Sequence, residues 1–288
     1  MPSRVRSATL WGVAGALAFL REKIDMSIQT PDDIKKRIGI QILGTTTSSE
    51  NFERALLPQQ ITDDYQNICT NLGLMSDKGI PEILAVTSPG PREGKTTFSI
   101  NLGISIARAG KKVLVIDGDL RKADVARLVK IEKPENGLKR IVEGEDPERM
   151  IISSRYRNLD ILTAKPCSSS DIYDIISKEK TAEVIEELSK RYKHIIIDTP
   201  PVLAASDALL WSKLSRGVIL TGFARYTEGP DMKEAVKRLQ RVEANIVGIV
   251  LNNVSYESYH PYSYGYSRHK HGDDETMEDM LLLPEEQE

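Results

Sequence analysis

Ile83-Leu-Ala-Val-Thr-Ser-Pro-Gly-Pro-Arg-Glu-Gly-Lys-Thr-Thr97 sets a short, mostly apolar run directly before a glycine- and proline-rich turn that ends in Gly94-Lys95-Thr96. A run of that length and β-branched content reads as a buried strand, and the turn leads into a helical stretch. In such a strand-to-helix loop, successive backbone N–H groups converge on phosphate oxygens and the helix adds the positive end of its dipole. The pattern is a P-loop, with Lys95 expected at the β/γ-phosphates and Thr96 on Mg²⁺. Gly90, Pro91, Arg92, Glu93, Gly94, Lys95, Thr96 and Thr97 are the expected nucleotide contacts. The strict consensus has glycine at position 89, where this chain has Pro89.

Downstream, short Val/Ile-rich runs alternate with helical stretches, the signature of a parallel sheet covered by helices. Strands are expected at 83–87, 113–117, 159–163, 194–198, 217–222 and 246–252, with helices at 95–109, 171–192, 206–213 and 231–243. The fold class is therefore α/β: a P-loop NTPase with a doubly wound, mostly parallel sheet and helices on both faces. Upstream, a capped short helix (Thr30 as N-cap, Pro31 in the first turn) and a short strand precede a Thr/Ser-rich stretch at 45–60 that reads as a linker. A helix at 62–74 leads into the core.

Two further motifs fall at predicted strand ends, where ligands collect in such sheets. Val113-Leu-Val-Ile-Asp117-Gly-Asp119-Leu-Arg121 carries two carboxylates and a guanidinium. Asp117 and Asp119 are suited to holding a metal through water or to accepting a proton, and Arg121 to pairing with phosphate or with a neighbouring carboxylate. His194-Ile-Ile-Ile-Asp198-Thr-Pro-Pro201 ends an apolar strand in an aspartate placed to orient Mg²⁺.

Composition narrows the classes. A chain of 288 residues with 40% hydrophobic content can bury a core, and a net charge of -3 with pI ≈ 5.9 gives no general pull toward nucleic acid. Cys69 and Cys167 lack the spacing of a zinc site or a disulfide framework, which fits a reducing compartment. The apolar run 8–20 is 13 residues long, short of the roughly 20 that span a membrane. Signal-peptide core, buried or interfacial helix, and the end of a membrane helix all compete for it, the first being weak without a cleavage site.

After the last strand, Tyr256, Tyr259, Tyr262, Tyr264 and Tyr266 are five of the chain's 10 tyrosines, set among Ser, Gly, Pro and His. That setting argues against a core role; a tail offering phenol hydroxyls to an active site, or a stacking surface, remains. The final stretch, DDETMEDMLLLPEEQE, has eight acidic residues and no basic one, a composition expected to be disordered.

With GKT at 94–96, VIDGDLR at 115–121, IIIDTPP at 195–201 and the terminal tyrosine cluster in this order, the chain resembles the bacterial tyrosine kinases of capsular and exopolysaccharide systems. The opening ALAFLREKIDMSIQTPDDIKKRIGIQILG is similar to the passage after the second transmembrane helix of that family's fused form, where a polysaccharide chain-length regulator is joined to the kinase. The resemblance implies a partial membrane helix at 1–24, a juxtamembrane segment and linker at 25–61, a kinase domain at 62–255, a tyrosine-rich tail at 256–272 and an acidic tail at 273–288. It implies ATP and Mg²⁺ as ligands: Lys95, Asp117 and Asp119 are catalytic, Thr96, Asp117 and Asp198 serve the metal, and Arg121 and Asn252 join the nucleotide contacts. The five tail tyrosines become acceptors, phosphorylated in trans by another copy in a homo-oligomer. The implied partners are a membrane chain-length regulator and a cognate tyrosine phosphatase, without nucleic acid, at the cytoplasmic face of the bacterial inner membrane. Arg92 stands where many members have glycine. Asp63, Gln66 and Cys69 occupy the positions of a Glu and two Arg that the family uses for ring assembly. A Par/Min-type ATPase switch would carry a second lysine where this chain has Gly90 and would lack the tyrosine tail; an ATP-binding pseudo-kinase is the other alternative.

Overall fold

Alternation along the strands decides the architecture. In the computed structural model, which describes residues 26–47, 60–74 and 79–255, Leu84, Val86, Val113, Val115, Ile196 and Ile219 enter one apolar core. Ile83, Leu114, Ile116, Ile195 and Ile197, their immediate neighbours in the chain, enter a second core on the opposite face, which continues into a third through Ala85, Val218, Leu220 and Ile249. A strand that is apolar at both parities must be covered on both faces, and that requires helices on each side of the sheet.

The elements run α1 (Pro31–Arg37), β1 (Ile42–Thr47), α2 (Gln60–Leu74), β2 (Ile83–Thr87), α3 (Lys95–Arg108), β3 (Val113–Asp117), α4 (Val125–Leu128), α5 (Gly137–Val142), α6 (Pro147–Met150), β4 (Ile152–Ser153), β5 (Leu159–Leu162), α7 (Ser169–Ser177), α8 (Glu179–Arg191), β6 (His194–Asp198), α9 (Asp207–Leu214), β7 (Gly217–Phe223), α10 (Gly229–Arg241) and β8 (Ile246–Val254). The sheet order is β1-β8-β7-β2-β6-β3-β5-β4. All neighbouring pairs are parallel except β4 with β5. Helices α2, α3 and α4 cover the first face; α5, α7, α8, α9, α10 and α1 cover the other. The doubly wound P-loop fold expected from the motifs is the fold observed.

Three local expectations change. Residues 45–47 are the end of β1, paired with β8, and Gln60 is the first residue of α2, so neither belongs to a linker. The single helix expected over 171–192 is two, because Lys178 adopts extended backbone (ψ 135) and serves as the C-cap of α7 and the N-cap of α8. The Thr181 hydroxyl bonds back to the Ile175 carbonyl across this break. Helices α4, α5 and α6 and strand β4 escaped the reading because stretches of two to six residues carry too little periodicity to register. The start of α1 is as expected: the Asp33 carboxylate accepts the Thr30 N–H at 3.0 Å, and Pro31 follows the cap. The apolar run 8–20, the stretch 48–59, the tyrosine cluster and the acidic end lie outside the described residues. Among the described residues no helix is long and apolar enough to cross a membrane.

Candidate functional site

The loop between β2 and α3 lies at the carboxyl edge of the sheet, with β7 and β6 on either side of β2. Gly94, the N-cap of α3, is left-handed (φ 81), and a β-carbon there would meet Asn252 Nδ2 at 2.8 Å. Glycine is therefore required by conformation and by contact together. Arg92 is also left-handed (φ 64) and exposed. It adopts a backbone that a glycine would take without strain, and an arginine there costs about 1 kcal/mol. Arg92→Gly should raise the melting temperature by about 2 °C in a thermal scan; a fall of that size would show that the arginine side chain holds the loop.

Lys95, at the first turn of α3, is buried, as are Asp117, Asp119 and Asp198. Asp117 and Asp198 are the last residues of adjacent parallel strands and sit in register. Gly118, between the two motif aspartates, lies so close to β6 that a β-carbon would meet Ile197 Cγ2 at 2.7 Å and the Asp198 carbonyl oxygen at 2.8 Å. Its N–H donates to that carbonyl at 2.7 Å, and its own carbonyl accepts the Trp211 indole N–H at 2.9 Å. The glycine of Asp-Gly-Asp thus brings the second motif against the third.

Burial pushes the Asp198 carboxyl up to about 6; the Lys95 ammonium and hydrogen bonds from the Thr96 and Ser99 hydroxyls pull against it. Ser99 Oγ donates to Asp198 Oδ1 at 3.3 Å. Asp117 is raised well above the ordinary carboxylate range by burial and by Asp198 beside it. Its Oδ2 accepts the Val125 N–H at 3.1 Å, while Oδ1 is buried without any donor. A buried carboxylate oxygen without a donor is costly unless a cation or proton faces it. Asp119 is raised by burial, and its Oδ1 accepts the N–H groups of Lys122 at 3.0 Å and Arg121 at 3.3 Å.

These donors fit Mg²⁺ bound with phosphates. Such a site uses one or two carboxylates, here with a hydroxyl beside them, and completes its octahedron with phosphate oxygens and water. Asp198 and the bare Asp117 Oδ1 supply the carboxylates and Thr96 the hydroxyl, and no cluster of three His, Cys, Asp or Glu able to cage a metal alone occurs among the described residues.

Other expected site residues are placed differently. Arg121 forms a two-point pair with Asp207, Nε to Oδ2 at 2.6 Å and Nη2 to Oδ1 at 3.2 Å, and reaches Ser169 Oγ at 3.1 Å. Of the two roles open to it in the sequence, the neighbouring carboxylate is the one observed. The Glu93 carboxylate turns into the protein, accepting the Gly90 N–H and the Thr227 hydroxyl, so its side chain does not face the space before the loop. Asn252 is likewise engaged at both ends of its amide, by the Glu93 carbonyl and by Thr46. Ser99, Asp207, Thr227 and Thr46 carry no signal in the sequence, because their partners lie 86 to 206 positions away. Cys69 turns inward toward Ser105, whereas Asp63 and Gln66 on the same helix are exposed.

Comparison with known proteins adds the family. Residues 82–222 match the family model described as an AAA domain. The tyrosine-protein kinase CpsD of Streptococcus pneumoniae serotype 4 is 34% identical over 66% of this chain and 83% of its own. The chain belongs to the bacterial tyrosine kinases. The solved kinase domain of the Escherichia coli tyrosine kinase ETK superposes with a TM-score of 0.73 at 25% identity, over 83% of this chain and all of that one. The putative tyrosine-protein kinase EpsB of Ralstonia solanacearum is 25% identical over 94% of this chain, which spans only 39% of that relative's length. Family members therefore match this chain both as compact proteins and as part of much longer ones.

Proposed function

We propose that the chain is an ATP-dependent tyrosine autokinase acting in capsule or exopolysaccharide synthesis, transferring the γ-phosphoryl group of Mg-ATP to Tyr256, Tyr259, Tyr262, Tyr264 and Tyr266 of another copy. The observation that carries this reading is the convergence of Lys95, Thr96, Asp117, Asp119 and Asp198 at one sheet edge beside a glycine turn. Family membership supports the tyrosine as acceptor, and the five phenols follow the last strand closely in the chain.

Thr96, Asp198 and Asp117 Oδ1 would hold Mg²⁺, which when bound would supply positive charge to offset that of the phosphates. Lys95 binds the β- and γ-phosphates, and the loop's N–H groups and the start of α3 hold them in place. The phenol oxygen bonds to the γ-phosphorus as the bond to the bridging β,γ-oxygen breaks, and ADP leaves. A phenol loses its proton near pH 10, so the transfer needs an acceptor for it. Of the two aspartates suited to this, Asp119 is the better placed, because Asp117 is fully buried whereas Asp119 keeps a small exposed fraction, with its Oδ1 steadied by two backbone N–H groups. Asp117, with its unpartnered Oδ1, would instead serve to hold the metal. We assign the protein to the cytoplasmic face of the bacterial inner membrane, with a chain-length regulator as membrane partner and a tyrosine phosphatase to reverse the modification.

The test mixes two versions of the chain with labelled ATP and Mg²⁺: one with the five tail tyrosines changed to phenylalanine, the other carrying Lys95→Met with its tail intact. Label is expected on the Lys95→Met copy alone. Intact ATP binding with no label on any tyrosine would instead make the protein a nucleotide-binding regulator.

A further inference from the structure

The loop conformation requires restraint: two left-handed positions, Arg92 and Gly94, flank the buried Glu93 carboxylate. Glu93 is held separately by side chain and by backbone. Its Oε2 accepts the Gly90 N–H at 2.7 Å across the loop, and its Oε1 accepts the Thr227 hydroxyl at 2.5 Å. Thr227 Oγ is fixed in turn by the Phe223 N–H at 2.8 Å. On the backbone side, Asn252 Nδ2 donates to the Glu93 carbonyl at 2.8 Å, and Asn252 Oδ1 accepts the Thr46 hydroxyl at 3.0 Å. Thr46 Oγ also accepts the Asn253 N–H at 3.3 Å. Thr46, Thr227 and Asn252 are all buried.

Both hydroxyls depend on the segment 26–47 ahead of the domain's central strands. Thr46 belongs to its strand β1. Thr227 is gripped by its start: the Ile28 N–H donates to the Thr227 carbonyl at 2.8 Å, Ser27 forms a bridge with Glu228, and the Gly229 N–H donates to the Met26 carbonyl at 2.9 Å.

We propose that Thr46 and Thr227 are positioning residues for the nucleotide loop, acting through Glu93, so that the segment 26–47 presets the loop's phosphate-binding shape before nucleotide arrives. The inference rests on the nucleotide site described above and adds to it the residues that determine its affinity. Neither threonine has to touch ATP. A loop held in its binding shape spends less on ordering when the phosphates bind, and one released into other shapes binds in proportion to the fraction still competent.

The experiment uses the full chain and measures the Kd of a non-hydrolysable ATP analogue with Mg²⁺ by calorimetry, alongside KM and kcat for ATP. Thr227→Val and Thr46→Val keep side-chain volume and remove the hydroxyl. Each is expected to raise Kd and KM about tenfold while kcat at saturating ATP stays within about threefold of the unaltered chain. Thr227→Ser and Thr46→Ser, which retain the hydroxyl, should restore affinity to within about twofold. If Thr227→Val does not fold, Thr46→Val on the edge strand carries the test. Valine variants that lose thermal stability but keep Kd and KM would make these contacts purely structural and overturn the proposal, as would serine variants that fail to restore affinity. An unaltered chain that binds no analogue would sink the nucleotide site itself, a result distinct from either.

Discussion

Lys95→Met is expected to lower tyrosine phosphorylation about a thousandfold, the scale of losing one preorganised charge at developing phosphoryl negative charge. Methionine nearly matches the volume of the lysine stem, so the variant should fold, and circular dichroism should show the same helix content. The loss extends beyond phosphate contact. Lys95 is the nearby cation that opposes the upward push on Asp198 and Asp119. Without it both carboxylates hold protons more readily and serve the metal and the proton transfer less well. Lys95→Arg should not rescue, because a planar guanidinium does not fit the place of a compact ammonium on a buried stem. Activity in Lys95→Met above about a tenth of the unaltered chain would remove this residue from the reaction.

Asp198→Asn should separate stability from function. With its folded carboxyl near 6 against an ordinary 3.8, the nucleotide-free native state binds more protons than the unfolded chain between these values. Stability then falls as pH rises through that window and stays lower above it. The shift corresponds to roughly 3 kcal/mol when fully developed. Asparagine keeps an oxygen for the Thr96 and Ser99 hydroxyls and removes the charge, so the nucleotide-free variant should melt about 5 °C higher at pH 8. Its advantage should vanish near pH 4. Phosphotransfer should fall at least about a hundredfold, and Mg-ATP should stabilise the unaltered chain far more than the variant. Asp117 is pushed in the same direction, so a smaller pH dependence should survive in Asp198→Asn. A variant less stable than the unaltered chain at pH 8 would mean that the Asp198 charge holds the fold together and is not held in reserve for the metal.

The contrast between the two variants follows from where the charges lie. The sheet edge gathers three carboxylates, Asp117, Asp119 and Asp198, around one buried lysine. That excess of negative charge is unfavourable without ligand and is offset when a divalent cation binds. A site of this kind is destabilising in the empty protein because its complement arrives with the substrate.

Much of this was legible in the chain. Strands β2, β3 and β6 end as the sequence indicates, at Thr87, Asp117 and Asp198. A buried parallel strand is encoded locally by a short β-branched run, and the turn after it by glycine, so the fold class and the meeting of the three motifs at one edge follow from local chemistry. What stayed hidden depends on residues far apart in sequence. Arg121 could serve phosphate or a carboxylate until Asp207, 86 positions later, was found beside it. Glu93 and Asn252 looked like nucleotide contacts, and only the packing of β1, β7 and β8 around the loop turned their side chains to Thr227 and Thr46. Thr45–Thr47 read as linker because a Thr/Ser-rich run shows no apolar alternation; pairing with β8 made them strand. Local sequence specifies which elements form and which groups they offer, since propensity and periodicity act over a few residues. The partner each buried polar group finds is decided by tertiary packing, because a hydrogen bond is satisfied by distance in space, with no mark in the spacing of the chain.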